Sequence, residues 1–155
     1  MQSNQGFTRL EILLVVGIIG ILGILSIILL NNCQQKTRDA QRLSDVRQIE
    51  AGLQMYYTEG SSFSGACLDQ GEGSVLKTIL CNATNNPYIS WANYQDPDFS
   101  SLAACDSTTS ATKCSCAYGL QIVNKDEYRL YFCLEKGANG IGKGLHSISR
   151  NGFDK

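Results

Sequence analysis

Proline is nearly absent from this chain: two residues in 155, the first at Pro87. Nothing in the N-terminal half therefore removes a backbone donor and breaks a helix. Histidine occurs once, at His146. That excludes multi-histidine metal sites, and no Ser, Cys or Asp arrangement near it supplies a nucleophile and an oriented base. A surface or partly packed ring on a strand is the reading for His146, and no enzymatic activity is expected. An excess of one charge is missing too, with 13 basic and 14 acidic residues giving a net charge of -1. No basic field draws the chain to nucleic acid or anionic lipid, so no nucleic-acid partner is expected. Internal repeats are also lacking.

What the chain does have is one long apolar run and seven cysteines. Ile12 to Leu30 carries no charge, and only Ser26 in it is clearly polar. About twenty apolar residues are what a helix needs to cross a bilayer's hydrocarbon core, so the run reads as a membrane segment. Gly17, Gly20 and Gly23 recur at three-residue spacing, as where helices approach closely in lipid, although glycine is common in membrane helices generally. Arg9 and Glu11 sit at its head, and a carboxylate there needs either water or a partner. Orientation is argued two ways. Lys36, Arg38, Arg42 and Arg47 after the run would place the C-terminal side in the cytoplasm by the positive-inside rule. Six cysteines between Cys67 and Cys133 instead suggest disulfides and an oxidising, extracytoplasmic compartment. The cysteines are preferred, because the basic residues are interleaved with Asp39, Asp45 and Glu50.

Beyond the run, Leu43, Val46, Ile49, Leu53 and Tyr56 follow helical spacing, with Lys36, Arg38, Asp39, Arg42, Asp45 and Arg47 as the polar face. A helix from about Phe7 to about Glu59 would span roughly 80 Å, ended by Gly60-Ser61-Ser62. From Phe63 to Ser115 the composition is that of loops, with one short helix expected over Gly73 to Leu80, N-capped by Ser74. Ala117 to Val123 and Glu127 to Glu135 read as a hairpin through Asn124-Lys125-Asp126, and Leu145 to Arg150 as a third strand ended by Asn151-Gly152. In the second strand Tyr128, Leu130, Phe132 and Leu134 form the face that packs on the helix. The fold class is α+β: a long N-terminal helix on a small antiparallel sheet with disulfide-stabilised loops.

Gly6, Phe7, Thr8, Arg9, Leu10 and Glu11 followed by a long apolar helix resemble the class III signal of type IV pilins and of type II secretion pseudopilins. RDAQRLSDVRQIEAGLQMYY, from Arg38 to Tyr57, is similar to the extension of that helix in major pseudopilins. EYRLYFCLE and GLHSISRNG look like the family's closing strands. The resemblance implies a leader over 1–6, cleavage between Gly6 and Phe7 by a prepilin peptidase, N-methylation of Phe7, and Glu11 as the assembly residue. Glu11 would pair with the new amine of Phe7 on a neighbouring subunit. It further implies an assembly helix over 7–30, an amphipathic extension over 31–60 and a cysteine-rich domain over 61–155. The partners would be identical and minor pilin subunits, an assembly platform and the cytoplasmic membrane, with the C-terminal domain outside. Three departures stand out: the leader has no basic residue, Arg9 replaces the usual aliphatic, and the apolar helix has no proline. Two other readings are a single-pass anchored binding protein that never polymerises, and a DNA-uptake pseudopilin.

Six cysteines allow fifteen pairings. Facing Val123 with Glu127 across the hairpin sets Ala117 opposite Cys133 and Cys116 diagonally near it, which favours Cys116 with Cys133. Cys67 with Cys81 is also favoured, and Cys105 with Cys114 then follows by elimination. A zinc site from Cys105, Cys114, Cys116 and Cys133 is the lesser alternative, since C-x-C is not the usual ligand pair. Cys33 is expected to be a free buried thiol or an intermolecular link. GANGIGKG, from Gly137 to Gly144, fails as a phosphate loop because Gly144 replaces the hydroxyl and a strand follows. Calcium is the one cation the resemblance raises, with Asp96, Asp98 and Asp106 as candidate oxygens. Their spacing matches no known loop, so solvated turn residues are preferred.

Overall fold

The computed structural model describes residues 8–67, 73–78, 81, 86–98, 103–110 and 115–154. Helix α1 runs Arg9–Gly60, so the expectation of one long uninterrupted helix holds. The strands are β1 (Val75–Lys77), β2 (Gly119–Asn124), β3 (Glu127–Leu134), β4 (Gly144–Ser149) and β5 (Gly152–Asp154). They form one antiparallel sheet in the order β1-β2-β3-β4-β5, a meander in which every strand pairs with its sequence neighbour. Two compact units divide the chain after Gln35. The first holds the apolar half of α1. Its large side chains stand exposed, Leu10 and Leu13 at 75% and Ile24 at 65%. The helix contains a stretch of mean hydropathy 3.2, and its length and composition suffice to cross a bilayer.

The second unit starts at Lys36. There Leu43, Val46, Ile49 and Leu53 form the buried stripe of α1, in one cluster with Leu120, Tyr128, Leu130, Phe132 and Leu134 of the sheet. Burying each aliphatic side chain contributes about 1.5–3 kcal/mol, which offsets the cost of ordering the helix. The helix ends as anticipated at Gly60, because Ser61 adopts φ 53° and donates its N–H to the Tyr57 carbonyl at 2.7 Å. That is a left-handed C-cap. Close approach on the helix surface occurs at Gly52, where a Cβ would overlap the Ile89 side chain.

The hairpin between β2 and β3 has the anticipated register from Gly119↔Tyr131 to Ile122↔Tyr128, then shifts at the turn so that Asn124 faces Glu127. A bulge there absorbs one residue. One expectation changes. The stretch starting at Gly73 is not a helix from its start, with 3-10 geometry only at Thr78 among its described residues: Val75–Lys77 pairs as an edge strand with β2, Leu76 opposite Leu120. Tertiary pairing outweighs the helical spacing of a short apolar run. Asn151-Gly152 ends β4 as anticipated. With Gly152 at φ 104° it turns the chain back into β5, beside β4.

Cys67–Cys81 forms as favoured, with Cα atoms 4.7 Å apart. The other two pairings are overturned, since Cys105 bonds Cys116, with Cα atoms 5.0 Å apart. Before β2 the chain does not continue along β3. Ala117 bridges Ala104 in parallel, the Cys105 N–H donating to the Ala117 carbonyl at 2.8 Å and the Ala117 N–H to the Ala103 carbonyl at 2.9 Å. That contact takes Cys116 to Cys105, so neither Cys116–Cys133 nor Cys105–Cys114 can form. Cys133 is itself disulfide-bonded, and Cys114 lies outside the described residues. Cys33 forms no disulfide within the chain, as expected, but is exposed and not buried. Cys105, Cys116, Tyr131 and Cys133 make a second small core, on the face of β3 opposite the helix.

Gly119 is the point where this second layer touches the sheet, and a Cβ added to it would overlap the Cys105 carbonyl oxygen. Both the overlapping atoms are backbone, so no side chain can yield. Gly119→Ala is expected to lower stability by about 2–3 kcal/mol, the range of overpacked interiors. Urea denaturation of the oxidised full chain in detergent measures it.

Candidate functional site

Arg42 is the structural centre of the second unit, with a guanidinium shielded from solvent. It lies on the helical face that reads as polar in sequence, one residue from Leu43 in the apolar stripe. Its Nε and Nη2 donate to Asp96 at 2.8 and 2.9 Å. Nη1 donates to Asp39, one turn back, at 2.9 Å and to Glu135 at 2.7 Å. Arg38 then reaches the same Glu135 with two donors, Nε at 2.8 Å and Nη2 at 2.6 Å. Its Nη2 also stands 3.8 Å from Asp98.

Asp39 completes the junction. Its Oδ1 accepts the backbone N–H of Glu135 at 2.9 Å, and its Oδ2 those of Lys136 and Gly137 at 2.7 and 2.9 Å. One helix carboxylate thus satisfies three donors that β3 leaves unpaired as it ends, and buried polar groups need such partners. Gly137 permits the turn, at φ 90° and with no room for a Cβ beside the Ile141 carbonyl. The chain then reverses through Ala138-Asn139-Gly140-Ile141, with Asn139 and Gly140 at φ 51° and 82°. Ala138 and Ile141 exchange N–H···O bonds of 3.1 and 3.0 Å. An Asn-Gly pair suits such a turn, and the strand that follows at Gly144 removes the phosphate-loop geometry.

Electrostatically the cluster is self-contained. Burial works against the charge on Arg42, but the hydrogen bonds and charge of Asp96, with Glu135 and Asp39, outweigh it and raise its pKa. Arg38, followed by Arg42, holds the Glu135 carboxyl below the usual range. Asp45 sits differently. Burial pushes its carboxyl up, Tyr118 opposes this by donating to it at 3.0 Å, and Asp96 adds to the rise. The arrangement fixes the helix to the end of β3 and to the loop around Asp96.

The residues singled out from sequence fall in several places. Gly6 and Phe7 lie outside the described residues. Glu11 is exposed in the first turn of α1, where its N–H meets the Thr8 hydroxyl at 3.3 Å. Thr8-Arg9-Leu10-Glu11 is a T-x-x-E capping signature, a local signal that the reading of the apolar run passed over. A carboxylate there also suits the positive end of the helix dipole. Asp96 and Asp98 come together, but around Arg42 and Arg38. Asp106 instead closes its own turn, accepting from Thr108 and Thr109, chiefly Thr108, whose hydrogen bond lowers its pKa. Among the described residues, no group of three or more His, Cys, Asp or Glu is placed to hold a metal. His146 is half-buried, its ring 5.7 Å from that of Phe132 and a ring nitrogen 2.8 Å from the Gly142 carbonyl.

Asp39 and Arg42 were read as solvated and are not. The three-residue spacing of Asp39 and Arg42 marks an ion pair beside Leu43, but the partners that carry it into the core, Asp96 and Glu135, are distant in the chain. Comparison of the chain with protein-family models, with curated proteins and with solved structures finds no match in any of the three.

Two outcomes follow from the cluster. Arg42→Met leaves Asp39 and Asp96 buried without their cation and is expected to cost about 3–5 kcal/mol, measured as a lowered urea midpoint. Glu135 acts through pH. Its folded pKa is depressed from the ordinary 4.5, so its stabilisation is complete above that value and lost as pH falls through the lower folded one. A pH series of melting temperatures should therefore show wild type ahead of Glu135→Gln at neutral pH and the gap closing in acid.

Proposed function

We propose that this chain is a structural subunit of a helical filament of the type IV pilus or type II secretion pseudopilus class. A prepilin peptidase cuts it between Gly6 and Phe7 and methylates Phe7. The apolar helix holds it in the cytoplasmic membrane until an assembly platform adds it to identical and minor subunits. The observation that carries this reading is α1 itself, one helix whose first part is apolar and exposed and whose second part is the core element of an α+β domain. So much exposed apolar surface needs lipid or other helices to cover it. The disulfides Cys67–Cys81 and Cys105–Cys116 support an extracytoplasmic domain. Repeated head-to-tail contact between identical helices produces a filament when the rotation does not close.

The second reading, a single-pass anchored protein that never polymerises, is favoured by one feature: Thr8-Arg9-Leu10-Glu11 is a capping-box signature in which the Thr8 hydroxyl accepts the Glu11 N–H, and the Glu11 carboxylate would serve the same box locally. Glu11→Gln separates the two, because glutamine serves a capping box as glutamate does but carries no charge to pair with an amine. The filament reading expects mature protein beginning at an N-methylated Phe7 in mass spectra of membrane extracts. It further expects Glu11→Gln to be inserted and processed, with filament yield down by about tenfold or more for a lost buried charge pair. Intact Met1 to Gly6 on the extracted protein sinks the proposal, and normal filaments from Glu11→Gln sink the pairing role.

A further inference from the structure

We infer that the C-terminal end of α1 carries a binding site for a small organic cation, an alkylammonium group of about the size of choline. A cavity of about 290 Å³ opens there, lined by Tyr56, Glu59, Gly60, Pro87 and Tyr88. Its walls are built. The Tyr88 hydroxyl donates to Oε1 of Glu59, which leaves Oε2 for a second donor. The Tyr56 hydroxyl reaches the Ser64 carbonyl at 3.5 Å, so both phenols are tethered. The loop bearing Pro87 and Tyr88 is pinned on either side. Asn86 Oδ1 accepts the Tyr88 N–H at 3.1 Å, and Ile89 packs into the space left by Gly52.

Charge selects the ligand class. The last turn of α1 contains no basic residue, and among the described residues lining the cavity the one carboxylate is that of Glu59. The negative end of the helix dipole adds to it, since the C-cap satisfies the Tyr57 carbonyl and the later carbonyls have no partner within the helix. Among the described residues no lysine or arginine lines the cavity. Arg150 is committed elsewhere: it lies over the ring of Tyr57, 4.1 Å from its centroid, while the Tyr57 hydroxyl donates to Asp126. That neighbouring pair shows the same chemistry satisfied within the chain. An anion is repelled from such a site. A calcium ion asks for six to eight oxygens, more than one carboxylate and two tethered phenols supply. An ammonium bearing alkyl groups suits two phenol rings, a proline and one carboxylate, because ring faces attract a cation that gives up little hydration.

The test is a titration of the full chain, disulfides intact, in nonionic detergent, followed by amide NMR. Choline is compared with 3,3-dimethylbutan-1-ol, its uncharged carbon isostere. Saturable shifts at Glu59, Gly60 and Tyr88 with choline are expected, with the isostere binding about fivefold more weakly or worse. Glu59→Gln should weaken choline by about threefold to fivefold, as loss of an exposed charge pair does. Tyr88→Ala should weaken it by about as much, and Arg150→Ala should leave it unchanged. Unaltered spectral dispersion in the variants shows that they remain folded. Equal binding of choline and the isostere, no saturable shift with choline, or full affinity in folded Glu59→Gln would each overturn the assignment.

Discussion

A guanidinium with no access to water is the constraint around which the folded domain is arranged. Arg42 has to be buried, because it sits one residue from Leu43 on a helix face that packs against the sheet, and a buried charge is tolerable only when paired and hydrogen-bonded. Three carboxylates converge on it from α1, the loop at Asp96 and the end of β3. Each of them is then obliged to stand where it does. Asp39 is placed to receive the backbone at 135–137, and Glu135 to receive Arg38 as well. Directional bonds thus fix the rotation and axial position of the helix on the sheet, which apolar packing alone specifies less sharply.

The sheet is built in two layers for a related reason. β3 alternates, and the residues Tyr128, Leu130, Phe132 and Leu134 meet the helix while Tyr131 and Cys133 face the other way into a second, smaller core. A strand apolar on both faces needs a cover on both. Here the cover is the segment around Ala104 and Cys105, joined to the sheet by a parallel bridge, by the Cys105–Cys116 disulfide and by the glycine at 119 that lets two backbones touch. A loop-rich stretch gains order from that cross-link chiefly through restriction of its unfolded state.

Much of this was legible in the sequence, and the limits are physical. The uninterrupted helix, its buried stripe, its end at Gly60 and the central hairpin register all follow from local periodicity and turn chemistry. The pairing of Cys67 with Cys81 was also anticipated. The other cysteines were misassigned because extending the hairpin register past Gly119 assumed that the chain stays on the sheet, whereas Ala117 leaves it for Ala104. β1 was misread as helix because a run as short as Val75-Leu76 carries too little periodicity to tell the two apart. Arg42 and Asp39 were misread as solvated because burial of an ion pair depends on Asp96 and Glu135, 54 and 93 residues from Arg42 in the chain. No window of local sequence contains that information.

At the N-terminal end the same question of pairing returns with less to decide it. Under the filament proposal Glu11 has two uses: as the fourth residue of a capping box opened by Thr8, and as a partner for an amine on another chain. The two uses are compatible in sequence in time. In that proposal a lone subunit satisfies a first-turn donor locally, the Thr8 hydroxyl accepting the Glu11 N–H, and leaves the carboxylate available where a neighbouring amine would arrive. Capping alone does not require a charge, since glutamine caps equally well. A carboxylate at the edge of lipid carries a desolvation cost that a neutral side chain avoids. The charge on Glu11 therefore calls for a cation, and Arg9, two positions away, points along a different direction of the helix, since i and i+2 do not face each other. In the filament proposal an amine brought by a second copy would meet that need, and the exposed apolar surface from Leu10 onward would give the copy a reason to approach.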